Sequence, residues 1–148
     1  MTTSLLVGLA LIVGAPAPKD AKKDAPTVVG DWVSDSIIDR GDADPNPGKL
    51  TLTMTADGKL TIKEGKEEPE KLQYTVDSKK DPAEIDILEP VDNAVGNGMK
   101  THTIPGIYKL EGDTLIICIS HKNDRPKTFT STKADRTVLI TLKRIKKN

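Results

Sequence analysis

The chain has 148 residues, with 22 Lys and Arg balanced by 22 Asp and Glu and only 3% aromatic residues. That length fits one domain with a tail, and such a domain buries roughly 65% of its unfolded surface, so it folds without metal or disulfide staples. Zero summed charge excludes long-range steering toward nucleic acid or an anionic membrane, and the single cysteine, Cys118, excludes an internal disulfide.

The chain opens on an apolar run, Leu5–Val13, followed by small residues at Gly14, Ala15 and Ala17. A run of that length is too short to span a bilayer as a helix. It matches the core of a secretory signal, with Val13-Gly14-Ala15 and Ala15-Pro16-Ala17 as small-x-small cleavage patterns. Residues 1–17 therefore read as a signal peptide, and the protein is expected to be exported, periplasmic or extracellular, without stable membrane insertion. Residues 18–27, rich in proline and lysine, read as a flexible linker. The folded domain is expected over residues 28–147.

Within it there is no convincing helical periodicity. Short β-rich segments recur between turn formers instead: Val28–Ile38, Lys49–Thr55, Lys59–Lys63, Lys71–Val76, Glu84–Leu88, Gly106–Leu110, Thr114–Ser120, Lys127–Thr130 and Thr137–Ile145. This predicts an all-β fold of eight or nine strands, an antiparallel up-and-down meander closed into a barrel, with an open β-sandwich as the alternative. Leu50, Leu52 and Met54 alternate with threonines, as do Leu60 and Ile62. A two-residue Asp57-Gly58 turn would send these two apolar sets to opposite faces. A three-residue Ala56-Asp57-Gly58 loop pairs Met54 with Leu60 and Leu52 with Ile62, with Gly58 in the left-handed conformation.

The loop between Asp39 and Gly48 places Asp42, Asp44 and Asn46 at alternate positions, the spacing of the first calcium ligands of an EF-hand. Pro47 stands where that motif needs glycine and Thr53 where it needs glutamate, so the loop reads as a solvated turn. From Glu89 to Thr103, Asn93, Gly96, Asn97 and Gly98 predict a long polar connector, with a lid over a barrel mouth as the other reading. Thr114–Ser120 is apolar on both faces, Leu115, Ile117 and Ile119 against Ile116 and Cys118, so it needs cover on both sides. A loop, the N-terminal segment or a partner would supply it, and self-association through Leu115–Ile119 is one form of the last. Cys118 reads as a buried small hydrophobe. In the final segment Val138, Ile140, Leu142 and Arg144 share the more apolar face, which turns Arg144 inward. A guanidinium stacked on an indole contributes about 0.5–2 kcal/mol.

The stretch Gly106 to Cys118, followed by Arg125-Pro126-Lys127-Thr128-Phe129 and preceded by Asp81-Pro82 and Ile85-Asp86-Ile87, resembles a small exported lipocalin-like domain of planctomycete bacteria. The similarity covers roughly Val28 to Arg144. It implies a lipocalin-like barrel, usually exported, of a family without an established activity or ligand. Gly30-Asp31-Trp32 matches the Gly-x-Trp element that opens the first strand of lipocalin-type barrels, where a basic side chain of the last strand seals the closed end over the tryptophan. The resemblance thus assigns Gly30, Trp32 and Arg144 to structural closure of the barrel.

Groups that carry catalysis are scarce. His102 and His121 lie in no zinc signature, one cysteine cannot complete a Cys/His site, and no nucleophile elbow, phosphate loop or dinucleotide fingerprint occurs. No enzymatic activity, metal or cofactor is expected. The basic end, Lys143, Arg144, Lys146 and Lys147, lacks the stacking aromatics of a nucleic-acid binder. Two functional readings stand. In one, an interior lined by Leu52, Met54, Leu60, Ile62, Tyr74, Tyr108, Ile140 and Leu142 binds a small hydrophobic molecule. In the other, those residues fill the core and the domain is a structural or protein-interaction module.

Overall fold

Apolar residues at every second position become, in the computed structural model, the inner face of a single antiparallel sheet; the structure describes residues 27–91 and 100–148. The strands are β1 (Gly30–Asp39), β2 (Asp42–Ala43), β3 (Leu50–Met54), β4 (Lys59–Glu64), β5 (Glu70–Asp77), β6 (Ala83–Val91), β7 (Lys100–Glu111), β8 (Thr114–Ser120) and β9 (Thr137–Arg144). β1 and β3 to β9 pair in succession, and β9 returns to β1 from Trp32↔Arg144 to Asp39↔Val138. That pairing closes an eight-stranded barrel and rules out the open sandwich; the two residues of β2 hang on the upper end of β1. The expected all-β, lipocalin-like up-and-down barrel is the observed architecture. Among the described residues the only helical piece is a 3-10 turn, Pro47–Lys49.

The β3–β4 hairpin takes the three-residue loop. Met54 faces Leu60 and Leu52 faces Ile62, and Gly58 sits at φ +81° while its N–H donates to Thr55 O at 3.1 Å. β7 and β8 join through Gly112-Asp113, with Glu111 opposite Thr114 and Gly112 at φ +59°, the first central place of a two-residue hairpin turn. β1 carries a bulge between Ser34 and Ser36. The β1–β3 ladder ends one residue earlier, at Val33↔Thr51, and Ser34 continues the contact through its side chain: its hydroxyl donates to Pro47 O, and Leu50 N–H donates to its Oγ at 3.2 Å.

The structure corrects two expectations. Lys127–Thr130 is not a strand. The connection between β8 and β9 instead straps the outer wall, with Phe129 under the Lys109 ammonium, 5.4 Å from the ring centroid. Its anchor is Arg125, whose Nη1 donates to Ile85 O and Gly106 O at 3.1 and 2.6 Å while Nη2 meets Asp86 Oδ1 at 2.7 Å. Second, Glu89–Thr103 is not all connector: β6 runs to Val91 and β7 starts at Lys100, paired with each other. Asn93, Gly96, Asn97 and Gly98, and with them the lid reading, lie outside the described residues, as do the expected signal peptide and most of the linker. The second cover of β8 comes from the chain itself, a loop being one of the sources its sequence allowed. Ile107 and Cys118 are buried on the outer face, and the Cys118 thiol donates to Thr130 O of the strap at 3.5 Å. At these positions the strap, a loop of the chain, is the cover.

Candidate functional site

The two ends of the barrel differ. At the lower end Trp32 stands opposite Leu52 on β3 and Arg144 on β9, so the strand pleat puts all three side chains on the inner face. Trp32 is 0% exposed. The Arg144 guanidinium lies over its ring, Cζ 4.1 Å from the centroid. Together they take three consecutive carbonyls of the leading segment: Arg144 Nη2 donates to Thr27 O (2.9 Å), Trp32 Nε1 to Val28 O (2.9 Å) and Arg144 Nη1 to Val29 O (2.8 Å). Gly30 keeps its place here for want of a side chain: a Cβ would come within 2.5 Å of Arg144 Nη1. Residues 30, 32 and 144 thus form one plug, held from below by Asp113 at 3.6 Å from Arg144 Nε.

Above the plug the interior is occupied. Leu52, Met54, Leu60, Tyr74, Tyr108 and Leu142 are buried in one core with Leu115, Ile117 and Ile85, and Ile62 and Ile140 pack half-buried against it. The eight residues read as a lining are therefore all brought together, in contact with apolar side chains. At mid-height even a methyl is too much: a Cβ on Gly106 would lie 2.9 Å from Ile119 Cγ2 and 3.1 Å from Ile85 Cγ2. Tyr74 turns its hydroxyl out of the core to donate to Thr55 O at 2.7 Å. Burial pushes the Tyr74 and Tyr108 phenols up, with the Asp57 and Asp77 carboxylates adding to it respectively. Burial also pushes the Cys118 thiol up, which disfavours its reactive thiolate. Outside the plug, hydrogen bonds from Lys147 and Thr53 hold the Asp31 carboxyl below its usual range.

Clefts lie on the outside of the barrel. Of five such clefts among the described residues the largest, about 550 Å³, opens at the upper rim between β1, β2 and the strap, lined by Ile37, Asp39, Arg40, Asp42, Asp44 and Arg136, among others. Three others are lined in part by Arg125, at about 290, 410 and 510 Å³. Of the eight expected lining residues, only Tyr74 borders any of the five.

His102 meets Glu89 at 3.4 Å on the exposed β6–β7 ribbon, and His121 is exposed. Among the described residues no group of three His, Cys, Asp or Glu side chains is placed to hold a metal. Asp44 accepts the Asn46 N–H at 2.8 Å, a turn contact. Arg40, Arg125 and Arg136 escape a reading by periodicity, since all three belong to turns or to the strap. The one local signal is Gly41 between Arg40 and Asp42, the mark of a two-residue turn. Compared with protein-family models, curated proteins and solved structures, the chain matches none.

Proposed function

We propose that this protein is an exported barrel module that works through its outer surface, its interior being core rather than a ligand chamber. The observation that carries the reading is the packing between plug and rim: Trp32, Met54, Leu60, Ile85, Leu115, Ile117 and Leu142 are each at most 2% exposed. An eight-stranded barrel is just wide enough for side chains to fill, whereas a drug-sized guest needs roughly 300 Å³ or more of enclosed space. Export rests on the apolar run Leu5–Val13 and its small-residue flank. The scarcity of nucleophiles and paired acid–base groups supports binding or scaffolding over catalysis.

Native mass spectrometry of protein purified from its own host tests this. The expected spectrum is that of the bare polypeptide. A stoichiometric apolar adduct lost on organic extraction would establish carriage and end the module reading.

A further inference from the structure

We propose that the upper-rim cleft is a binding site for a small polyhydroxylated anion, a sugar acid or sugar phosphate, with Arg136 as its charged anchor. The site stands on the outer surface and does not depend on whether the core is filled.

Backbone conformation supplies the first observation. Arg40 and Arg136, at φ 49° and 51°, are the two non-glycine residues with positive φ among the described residues, and both line this one cleft. Arg40 and Gly41 (φ 86°) form the two-residue turn between β1 and β2, of the kind whose first central place is best filled by asparagine, aspartate or glycine. Arg136 closes the strap just before β9, where its carbonyl accepts His121 N–H at 3.1 Å. Glycine would serve at either position without steric cost. Left-handed non-glycine residues cluster at ligand clamps, because the side chain is then retained for something other than the fold.

Charge supplies the second. The cleft brings Arg40, Lys133 and Arg136 together with Asp39, Asp42 and Asp44. Arg40 is turned onto Asp39, Nε to Oδ1 at 3.3 Å, and Lys133 approaches Asp42 at 3.9 Å. Arg136 makes no ion pair or side-chain hydrogen bond among the described residues, so it is the cation of the cleft left to meet an anion. Its fork suits a carboxylate or phosphate. Around it stand the carboxylates of Asp39, Asp42 and Asp44, which accept hydrogen bonds. Hydroxyl groups donate to such oxygens, and Ile37 and Ala43 give the cleft a small apolar wall for a sugar ring's C–H face. One anionic group on a polyol body fits that arrangement.

The test is an NMR titration of the full chain with glucuronate, glucose 6-phosphate and neutral glucose, each at about 10 mM, where a site of millimolar affinity is filled. Glucuronate or glucose 6-phosphate is expected to shift the amides of Gly41, Ala43 and Arg136, the tighter of the two naming the anion, and glucose to bind at least about tenfold more weakly. Arg136→Gly is expected to lose at least about tenfold in affinity while its Tm stays level or rises by about 2 °C, since the backbone is relieved. Should that variant fail to fold, Arg136→Gln, which keeps the side-chain bulk without the charge, is expected to show the same loss. The proposal is overturned if neither anion moves these amides, if glucose binds equally well, or if the Arg136 variant binds like the parent.

Discussion

A single phenol shows how burial and hydrogen bonding combine in this barrel. Tyr74 leaves its ring in the core and donates its hydroxyl to Thr55 O, which ties β5 to the hairpin loop after β3. Ionisation would remove that donor and place a charge in an apolar setting, so the folded phenol titrates above its ordinary 10.0, as does Tyr108. A group with a raised folded pKa contributes stability below the unfolded value and loses it as pH rises through the folded one. Stability is therefore expected to hold up to about pH 10 and to fall beyond it. Tyr74→Phe is expected to cost about 0.5–1.5 kcal/mol at neutral pH and to soften the alkaline decline. Urea unfolding followed through the lone tryptophan, at neutral and alkaline pH, measures both effects.

At the level of strands, the protein handles one awkward element with two prolines. β6 and β7 stay paired up to Pro90↔Thr101 and Val91↔Lys100. β5 leaves β6 after Gln73↔Leu88, and β8 leaves β7 after Gly106↔Ile119. Above those points the β6–β7 ribbon has two edges with no strand partner among the described residues. Alternation of the ladder from the Glu111–Thr114 turn directs the backbone nitrogens of Pro105 and Pro90 to those outer edges. Neither has an N–H to offer, which is how edge strands are kept from pairing with another chain. Pro90→Thr together with Pro105→Thr is expected to raise self-association at high concentration, read by sedimentation velocity; an unchanged monomer fraction would show the edges to be protected by other means. This element also marks how far the sequence can be read. The three-residue loop of β3–β4 is legible because alternation and one glycine decide it between them. The strap is not, because Arg125 fixes it by reaching back to Ile85, Asp86 and Gly106, a contact no local pattern encodes. β2 is too short to show any alternation at all.

For the molecule as a whole, legibility of the fold ran ahead of legibility of the site. Gly30, Trp32 and Arg144 share one end because Trp32 stands opposite Arg144 and Gly30 lies two residues earlier on the same strand, and the inner residues meet because their period is two. Whether such residues surround space or fill it depends on side-chain volumes summed across all eight barrel strands, which no single segment reveals. The rim cleft is still further from the sequence, since it joins a turn after β1 to the last residues of the strap. The claim on which the functional reading turns is the packed interior, and enlarging a residue within it is the most direct probe. Leu142, at 0% exposure, faces Ser34 and Leu115 across its two neighbouring strands. Equilibrium urea unfolding of Leu142→Phe is expected to show a loss of about 1–3 kcal/mol from overpacking; a variant as stable as the parent, or more so, would mean that the barrel holds room for a guest.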